Sequence, residues 1–429
     1  MTSALLTDRY ELTMVEAALR AGTAHRDSVF EVFARRLPEG RRYGVVAGTG
    51  RFLDELTRFR FGDAELSWLR DERIVDSPTI DWLADYRFSG DVHGYAEGEV
   101  YLPGSPLLVV ESTFAEGVLL ETLALSIFNY DSAVAGAAAR MVSAADGRPL
   151  AEMGSRRTGE RSAVAAARAA YIAGFDATSN LEAGRTWGVP TMGTAAHAFT
   201  LLHVSEEEAF RAQVATLGSG TTLLVDTYDI ETAVRTAVDV AGTGLGAVRI
   251  DSGDLPSLVG QVRRQLDSLG ATGTRITVTN DLDEYTIAAL RAAPVDSYGV
   301  GTSVVSGSGH PAAGMVYKLV ARRGDDGAWL SVAKKSADKA SVGGRKAPVR
   351  VLDGGVATTE LVRVGDHETA AHERALLVPL VTGGVVDERY TGHHGVERAR
   401  DHRRAAVAEL PAGAFRLGRG EPVIPTIYA

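Results

Sequence analysis

A chain of 429 residues, 45% hydrophobic and 23% charged, reads as a soluble globular protein of two to three domains at about 150 residues each. Its formal net charge of −10 argues against a nucleic-acid protein held by phosphate contacts, which would show a basic face. The lack of cysteine excludes disulfides, thiolate nucleophiles and cysteine zinc sites and fits a reducing cytoplasm, while no run comes near the roughly 18 apolar residues of a membrane span.

"TDRYELTMVEAALRAG" predicts an N-terminal helix with Asp8 as cap and Gly22 as stop, and its early charges Asp8, Arg9 and Glu11 do not suit a signal peptide. "SVFEVFARRLP" alternates like a strand. "GDVHGYAEGEVYLPGSPLLVVEST" predicts short antiparallel pieces, and "EGVLLETLALSIFNYDSAVAGAAARMVSAA" an alanine-rich helix. This change of texture places a domain boundary near residue 130.

Between about 150 and 320, short apolar strands alternate with helical stretches. The pairs are "PTMGTAAH" with "SEEEAFRAQVATLG", "TTLLVDTYD" with "IETAVRTAVDVAG", "AVRIDSGD" with "LPSLVGQVRRQLDSLG", and "RITVTND" with "LDEYTIAALRAA"; "SYGVGTSVV" comes last. Strand then helix, repeated, means parallel βα units. Polar residues gather at the strand ends: His197, Asp226, Asp251, Asp254, Asn280 and Asp281. In a βα barrel that edge is the catalytic face. An open doubly wound sheet would also collect them there, and the barrel is the preferred reading. After about 330 the texture returns to β with polar turns, joining the N-terminal β-rich part, and "VERARDHRRAAVAEL" predicts a charged helix. The expected domains are therefore 1–130 and 331–429 together, flanking a catalytic barrel over 131–330.

The stretch "VRIDSGDL" concentrates the chemistry. A strand ends at Arg249, and Asp251, Ser252, Gly253 and Asp254 turn into a helix beginning at Pro256. Two carboxylates three residues apart can accept bonds from sugar hydroxyls or from the water around a magnesium ion, and Arg249 suits a carboxylate or phosphate. As a helix cap, Ser252 or Asp254 alone is explained and the cluster is not. In "GSRRTG", Arg156 and Arg157 precede a helix, as an anion site or a solvated basic turn. "YGVGTSVV" is a glycine turn at Gly299 and Gly301 carrying Thr302, where barrel enzymes often grip a phosphate. Asn280 and Asp281 stand one unit earlier as ligands or caps. Tyr10 can stack on a flat ligand, though a buried tyrosine is the commoner case. His197 in "PTMGTAAHAF" is either a packed core side chain or an imidazole with room to react. The basic loop "KKSADKASVGGRK" (334–346) either closes over phosphates or is a surface turn. No His-x-x-x-His spacing, Gly-x-Ser-x-Gly elbow or Walker loop occurs.

Taken in order, "TDRYELTM", "FARRLP", "EMGSRRTG", "GFDATSN", "GTAAHAF", "VDTYD", "VRIDSGD", "VGTSVV" and "YKLV" resemble the nicotinate phosphoribosyltransferases over nearly the whole chain. The resemblance implies an α/β fold: an irregular α/β barrel of βα units plus an α/β sandwich built from both ends of the chain. It implies transfer of phosphoribosyl from phosphoribosyl pyrophosphate to nicotinate, giving nicotinate mononucleotide and diphosphate for NAD synthesis. Mg2+ would accompany the diphosphate, with no protein-only metal site, and ATP hydrolysis would be coupled through a phosphohistidine. That role falls on His197. Tyr10 would stack on the pyridine ring, reaching the site of a neighbouring subunit in a homodimer with shared active sites. Arg156 and Arg157 would meet the nicotinate carboxylate or a phosphate, while Arg249 and Asp251 would hold ring and ribose. Met153, Asn180, Thr194, Asp226, Ser252 and Asp254 would complete the substrate site, and Asn280, Asp281, Gly299, Gly301 and Thr302 would cradle the 5′-phosphate. Met153 stands where the family often has an aromatic residue, and the cysteine zinc knuckle of some relatives is absent. Three other readings remain: a nicotinamide-specific enzyme of the same fold, disfavoured by Asn180 where amide users carry an acidic residue; a quinolinate-using relative, expected to be more basic around the ring; and a non-catalytic phosphoribosyl-ligand-binding member.

Overall fold

Strand formation from both chain ends builds the first part of the molecule. In the computed structural model, which describes residues 2–334, 341–365 and 367–429, the chain divides into two compact units: Met1–Gly136 with His310–Ala429, and Ala137–Gly309. The expected closing loop at 334–346 falls, over 335–340, outside the described residues.

The first unit holds a seven-stranded sheet in the spatial order Trp329–Ser331, Met315–Arg323, Asp27–Ala34, Pro106–Thr113, Asp91–Tyr95, Leu377–Thr382 and Val385–Val386. N- and C-terminal residues pair directly, as in Val32 with Tyr317. The alternation of "SVFEVFA" does not mark a wet face. Val29 joins one apolar cluster and Phe30 and Val32 another, so the strand is covered on both sides. Its polar member Glu31 is buried too, held by the ammonium of Lys346 at 2.7 Å. The N-terminal helix forms over Arg9–Arg20 with Gly22 at φ +70°, but Asp8 at the N-cap position makes no side-chain cap bond.

A four-stranded sheet of Glu373–Ala375, Lys346–Asp353, Val356–Val364 and Thr426–Tyr428 completes the sandwich. Across its middle strands Arg350 donates to Glu360 at 2.6 Å, both side chains fully buried. Such a pair contributes little net stability while whole and costs much when halved. Glu360→Gln leaves Arg350 charged, with Glu99 at 3.8 Å as its remaining counter-charge among the described residues. The expected loss is about 3 kcal/mol, read as a lower urea midpoint.

The helical stretch Phe114–Ala145 is long and apolar enough to cross a bilayer by length and composition, yet two thirds of its most apolar window is buried inside the protein. A core helix passes the same test. The division between the two units falls within it, at residues 136 and 137.

The second unit is built on six parallel strands: β1 (Leu150–Glu152), β2 (Ala177–Thr178), β3 (Thr222–Leu224), β4 (Ala247–Ile250), β5 (Arg275–Val278) and β6 (Ser297–Val300). Their spatial order is β2-β1-β6-β5-β4-β3. Neighbours run in chain order from β3 to β6, and the last strand then pairs with the first, Tyr298 opposite Leu150. A doubly wound sheet would reverse its order at a switch point; this one curls around as a barrel does. Its irregularity lies between β2 and β3, where the expected strand "PTMGTAAH" makes one bridge, Thr178 with Thr191. From there the chain runs unpaired to His197, which opens the short helix His197–Leu202.

Local chemistry explains the helices that return each strand. Asp229 accepts the N–H of Thr232 at 2.9 Å and starts the helix Ile230–Ala241, which buries Ala233, Val234, Ala237 and Val238 on one stripe. Asp283 caps Glu284–Ala289 in the same way, through the N–H of Thr286 at 2.7 Å. Pro256 sits in the first turn of Leu255–Ser268, where its missing N–H costs nothing.

Candidate active site

Five strand ends deliver polar residues to one edge. β1 runs into Met153–Arg157, β3 into Asp226 and Thr227, β4 into Asp251, β5 into Thr279–Asp281, and β6 into Gly301 and Thr302. Met153, Arg156, Arg157, Arg249, Asp251, Thr279, Asn280, Asp281, Gly299, Gly301 and Thr302 line a cavity of about 220 Å³. Three guanidiniums face two carboxylates there, a balance that suits an anionic ligand with hydroxyl groups.

The carboxylates are placed by bonds from the backbone and from hydroxyls. The Asp226 side chain is 1% exposed and its Oδ2 accepts the N–H of Asp251 and the hydroxyl of Ser252, each at 2.8 Å. Its Oδ1 is buried with no hydrogen-bond partner among the described residues. Asp251 Oδ1 accepts the Thr279 hydroxyl at 2.5 Å, which leaves Oδ2 free to face His197. Thus Ser252 acts on Asp226 rather than as a helix cap, and Asp254, exposed at the N-cap position, makes no cap bond either.

His197 is not a core histidine. Its side chain is 41% exposed, with Nε2 at 3.9 Å from both Asp226 Oδ1 and Asp251 Oδ2, and Nδ1 at 3.2 Å from the Thr227 hydroxyl. A Cβ at Gly193 would meet nothing within 4 Å, so the loop before the imidazole borders open space. Arg249 ties that loop to the cavity, donating to the Ala195 carbonyl at 3.1 Å while its Nε is buried without a partner among the described residues. Burial weakens its hold on the proton, Asp251 and Asp226 strengthen it, and the nearby Arg156 opposes them.

Two glycines are required by close approach. A Cβ on Gly299 would lie 2.6 Å from the Thr279 methyl and 2.8 Å from the Met153 sulfur, inside the cavity wall. One on Gly154 would reach Val305 at 2.2 Å. Asn280 adopts φ +101°, a strained conformation for a non-glycine residue at a ligand-facing turn, with its own Oδ1 accepting the Asp281 N–H at 2.8 Å.

The remaining expected residues are placed differently. Arg156 and Arg157 are exposed at the cavity with no side-chain bond or ion pair among the described residues. Asn180 is occupied at both ends: Oδ1 caps the helix Leu181–Trp187 through the Ala183 N–H at 2.9 Å, and Nδ2 donates to Ser155 at 3.0 Å. Thr194 is half-buried and outside the cavity lining, and Tyr10 belongs to the other unit, exposed on the helix Arg9–Arg20.

Several contributors were not anticipated. Glu152, fully buried, accepts the Gly154 N–H and the Thr178 hydroxyl, the latter at 2.6 Å, and so anchors the arginine loop between β1 and β2. Thr279 and Thr227 orient Asp251 and His197. Their only sequence signal is a hydroxyl residue directly at a strand end, which threonine's β propensity makes unremarkable.

Comparison with known proteins meets this geometry. A family model described as the nicotinate phosphoribosyltransferase N-terminal domain matches residues 5–129. Nicotinate phosphoribosyltransferase pncB1 of Mycobacterium tuberculosis is 58% identical over 98% of this chain and 94% of its own length. The Bacillus subtilis nicotinate phosphoribosyltransferase is 37% identical over 81% of this chain and 73% of its own. Among solved structures, human nicotinic acid phosphoribosyltransferase superposes with a TM-score of 0.84 at 25% identity, covering 99% of this chain and 97% of that one. With relatives this similar along almost its whole length, the chain belongs to the nicotinate phosphoribosyltransferase family.

Proposed function

We propose that this chain forms nicotinate mononucleotide and diphosphate from nicotinate and phosphoribosyl pyrophosphate, and that ATP drives the transfer through a phosphohistidine at His197. The observation that carries this reading is the half-exposed imidazole set 3.9 Å from two aspartates, beside a cavity bearing three arginines. Thr227 bonds Nδ1 at 3.2 Å, the two aspartates stand 3.9 Å from Nε2, and the open space at Gly193 leaves room for a phosphoryl group. In that step the γ-phosphoryl P–O bond breaks, an N–P bond forms and ADP leaves; water later takes the phosphoryl group as phosphate and frees the imidazole.

The glycosyl transfer itself asks for positioning and charge more than proton transfer. The nicotinate carboxylate would meet Arg156 or Arg157, while Arg249 and Asp251 would hold ring and ribose. The turn of Asn280, Asp281, Gly301 and Thr302 would take the 5′-phosphate, Gly299 keeping that wall low. Asp226, Ser252, Asp254 and Thr194 would border the phosphoryl end. Magnesium would arrive with the diphosphate and neutralise its leaving charge. A homodimer with shared active sites completes the reading. Leu181, Leu201, Leu202 and Val204 are strongly exposed, which supports an apolar partner surface, and Tyr10 is exposed enough to stack in a second copy's site. The cysteine-free composition supports a cytoplasmic setting.

Incubation with phosphoribosyl pyrophosphate, magnesium and equal nicotinate and nicotinamide, with and without ATP, tests the reading. Nicotinate mononucleotide formed faster with ATP is the expected product. Nicotinamide mononucleotide as the main product overturns the base assignment, and ligand binding without turnover would favour a non-catalytic member. Asn180→Asp sharpens the point, because aspartate keeps the helix cap and adds a negative charge beside the Ser155–Arg157 loop. The expected result is about a fivefold lower kcat/KM for nicotinate, the worth of roughly 1 kcal/mol for a half-exposed charge, with nicotinamide use unchanged or raised.

A further inference from the structure

Two turns that line the cavity are joined from behind by one buried carboxylate. β5 and β6 pair at Thr277 with Ser297 and at Val278 with Tyr298, whereas β4 and β5 pair all along Arg275–Val278. Beyond that register the two backbones turn to opposite neighbours. The Thr279 N–H donates to the Ile250 carbonyl of β4 at 2.9 Å, and the Val300 carbonyl of β6 accepts the Met153 N–H at 2.7 Å. The cavity-lining turns Thr279–Asp281 and Gly301–Thr302 therefore begin where the register between their strands has ended.

Side chains span the gap. Glu284, the first residue of the helix Glu284–Ala289, is 4% exposed. Its Oε2 accepts the Ser308 hydroxyl at 2.8 Å, and its Oε1 accepts the Nε–H of Arg140, itself buried, at 2.9 Å. Arg140 comes from the helix Glu121–Ala145 and donates as well to the Tyr285 hydroxyl at 3.2 Å. Ser308 follows the helix Thr302–Val305, and its N–H returns to the Ser303 carbonyl at 2.7 Å. One carboxylate thus bridges the segment that follows one turn and the segment that follows the other. Both segments are strained, with Asn280 at φ +101° and Ser308 at φ +52°, left-handed conformations for residues other than glycine. Such conformations persist where the surroundings over-determine them, and they gather at ligand sites.

We propose that Glu284 is a positioning residue which, with Arg140 and Ser308, fixes the separation of the two turns and so the seat of a phosphate monoester. The inference rests on the reading that these turns take the 5′-phosphate. Glu284 and Ser308 stand outside the cavity lining, so they act through Asn280, Asp281 and Thr302. Donors from both turns have to converge on one phosphate, and a small change in their separation loses the bonds from one side. The diphosphate end of the substrate does not depend on that separation.

Competition against phosphoribosyl pyrophosphate in the full-length protein tests this, with ribose 5-phosphate and inorganic diphosphate as separate inhibitors. Ser308→Ala removes one hydroxyl and leaves the Glu284–Arg140 pair whole. Its Ki for ribose 5-phosphate is expected to rise about five- to tenfold, the worth of one hydrogen bond, with the Ki for diphosphate unchanged. Glu284→Ala loses both bonds and is expected to exceed that rise. Glu284→Gln, whose amide can accept from Arg140 and donate to Ser308, is expected to stay within about twofold of the parent. Should Glu284→Ala fail to fold, Ser308→Ala decides alone. Thr302→Ala, a change in the lining itself, serves as the reference and is expected to weaken ribose 5-phosphate. If it does so while Ser308→Ala leaves that Ki unchanged, the proposal is overturned. An equal rise for both inhibitors in Ser308→Ala overturns it too, because a general loosening of the fold would act on both. Unchanged inhibition by ribose 5-phosphate in Thr302→Ala is a different failure, that of the 5′-phosphate reading.

Discussion

His197→Ala is expected to abolish ATP stimulation and all acid-labile phosphoryl incorporation from γ-labelled ATP, while slow ATP-independent formation of nicotinate mononucleotide persists. The separation follows from geometry. His197 stands outside the cavity lining, joined to it through Asp251, whereas the residues expected to hold ribose and 5′-phosphate line the cavity without it. Deleting the imidazole removes the proposed phosphoryl acceptor and leaves the cavity lining intact. Thr227→Val removes only the hydroxyl at 3.2 Å from Nδ1, so a loss of about two- to tenfold in ATP-stimulated kcat is expected, the worth of one hydrogen bond. Equal ATP stimulation in His197→Ala and the parent would show that ATP acts elsewhere.

Much of this arrangement was legible because each βα unit carries its own punctuation. The helical stretches after the strands form as expected, and the strand-end aspartates 226 and 251 stand where barrel chemistry gathers, but the caps are Asp229 and Asp283, and neither Asn280 nor Asp281 caps the helix Glu284–Ala289. Legibility fails where an element is too short to have a period. β1 and β2 contain three and two residues, so the loop bearing Arg156 and Arg157 showed no strand before it. "PTMGTAAH" fails in the opposite sense: it is apolar like a strand, but a strand also needs neighbours, and this one finds a single bridge.

Buried polar residues are hidden for another reason. Glu152 and Glu31 look like surface glutamates in a one-dimensional pattern, and only partners 26 and 315 residues away, Thr178 and Lys346, make them interior. Asn180 shows the converse. Its place near "TSN" suggested contact with the base, yet both ends of its amide are used, for a helix cap and for Ser155. Any influence on base choice must then pass through the arginine loop it steadies.

Arg249→Ala is expected to lower kcat/KM by about 100- to 1000-fold with ATP and without it, the size of effect seen when one preorganised donor to developing charge is removed. Arg249 serves both halves of the site. It lines the cavity, and it holds the Ala195 carbonyl two residues before His197. Its buried Nε has no partner among the described residues, a donor kept unsatisfied at a cost that a bound anion would relieve. Asp251 and Asp226 keep the guanidinium charged against the burial that works to discharge it. Arg249→Lys separates the two duties, because an ammonium supplies charge but not the planar fork. The lysine variant is expected to recover part of the ATP-independent rate and little of the ATP stimulation, since the tether to the histidine loop is gone. If Arg249→Ala instead spares ATP-independent turnover and loses only the stimulation, Arg249 is a tether alone, and the anion of the transfer step must be held by Arg156 and Arg157.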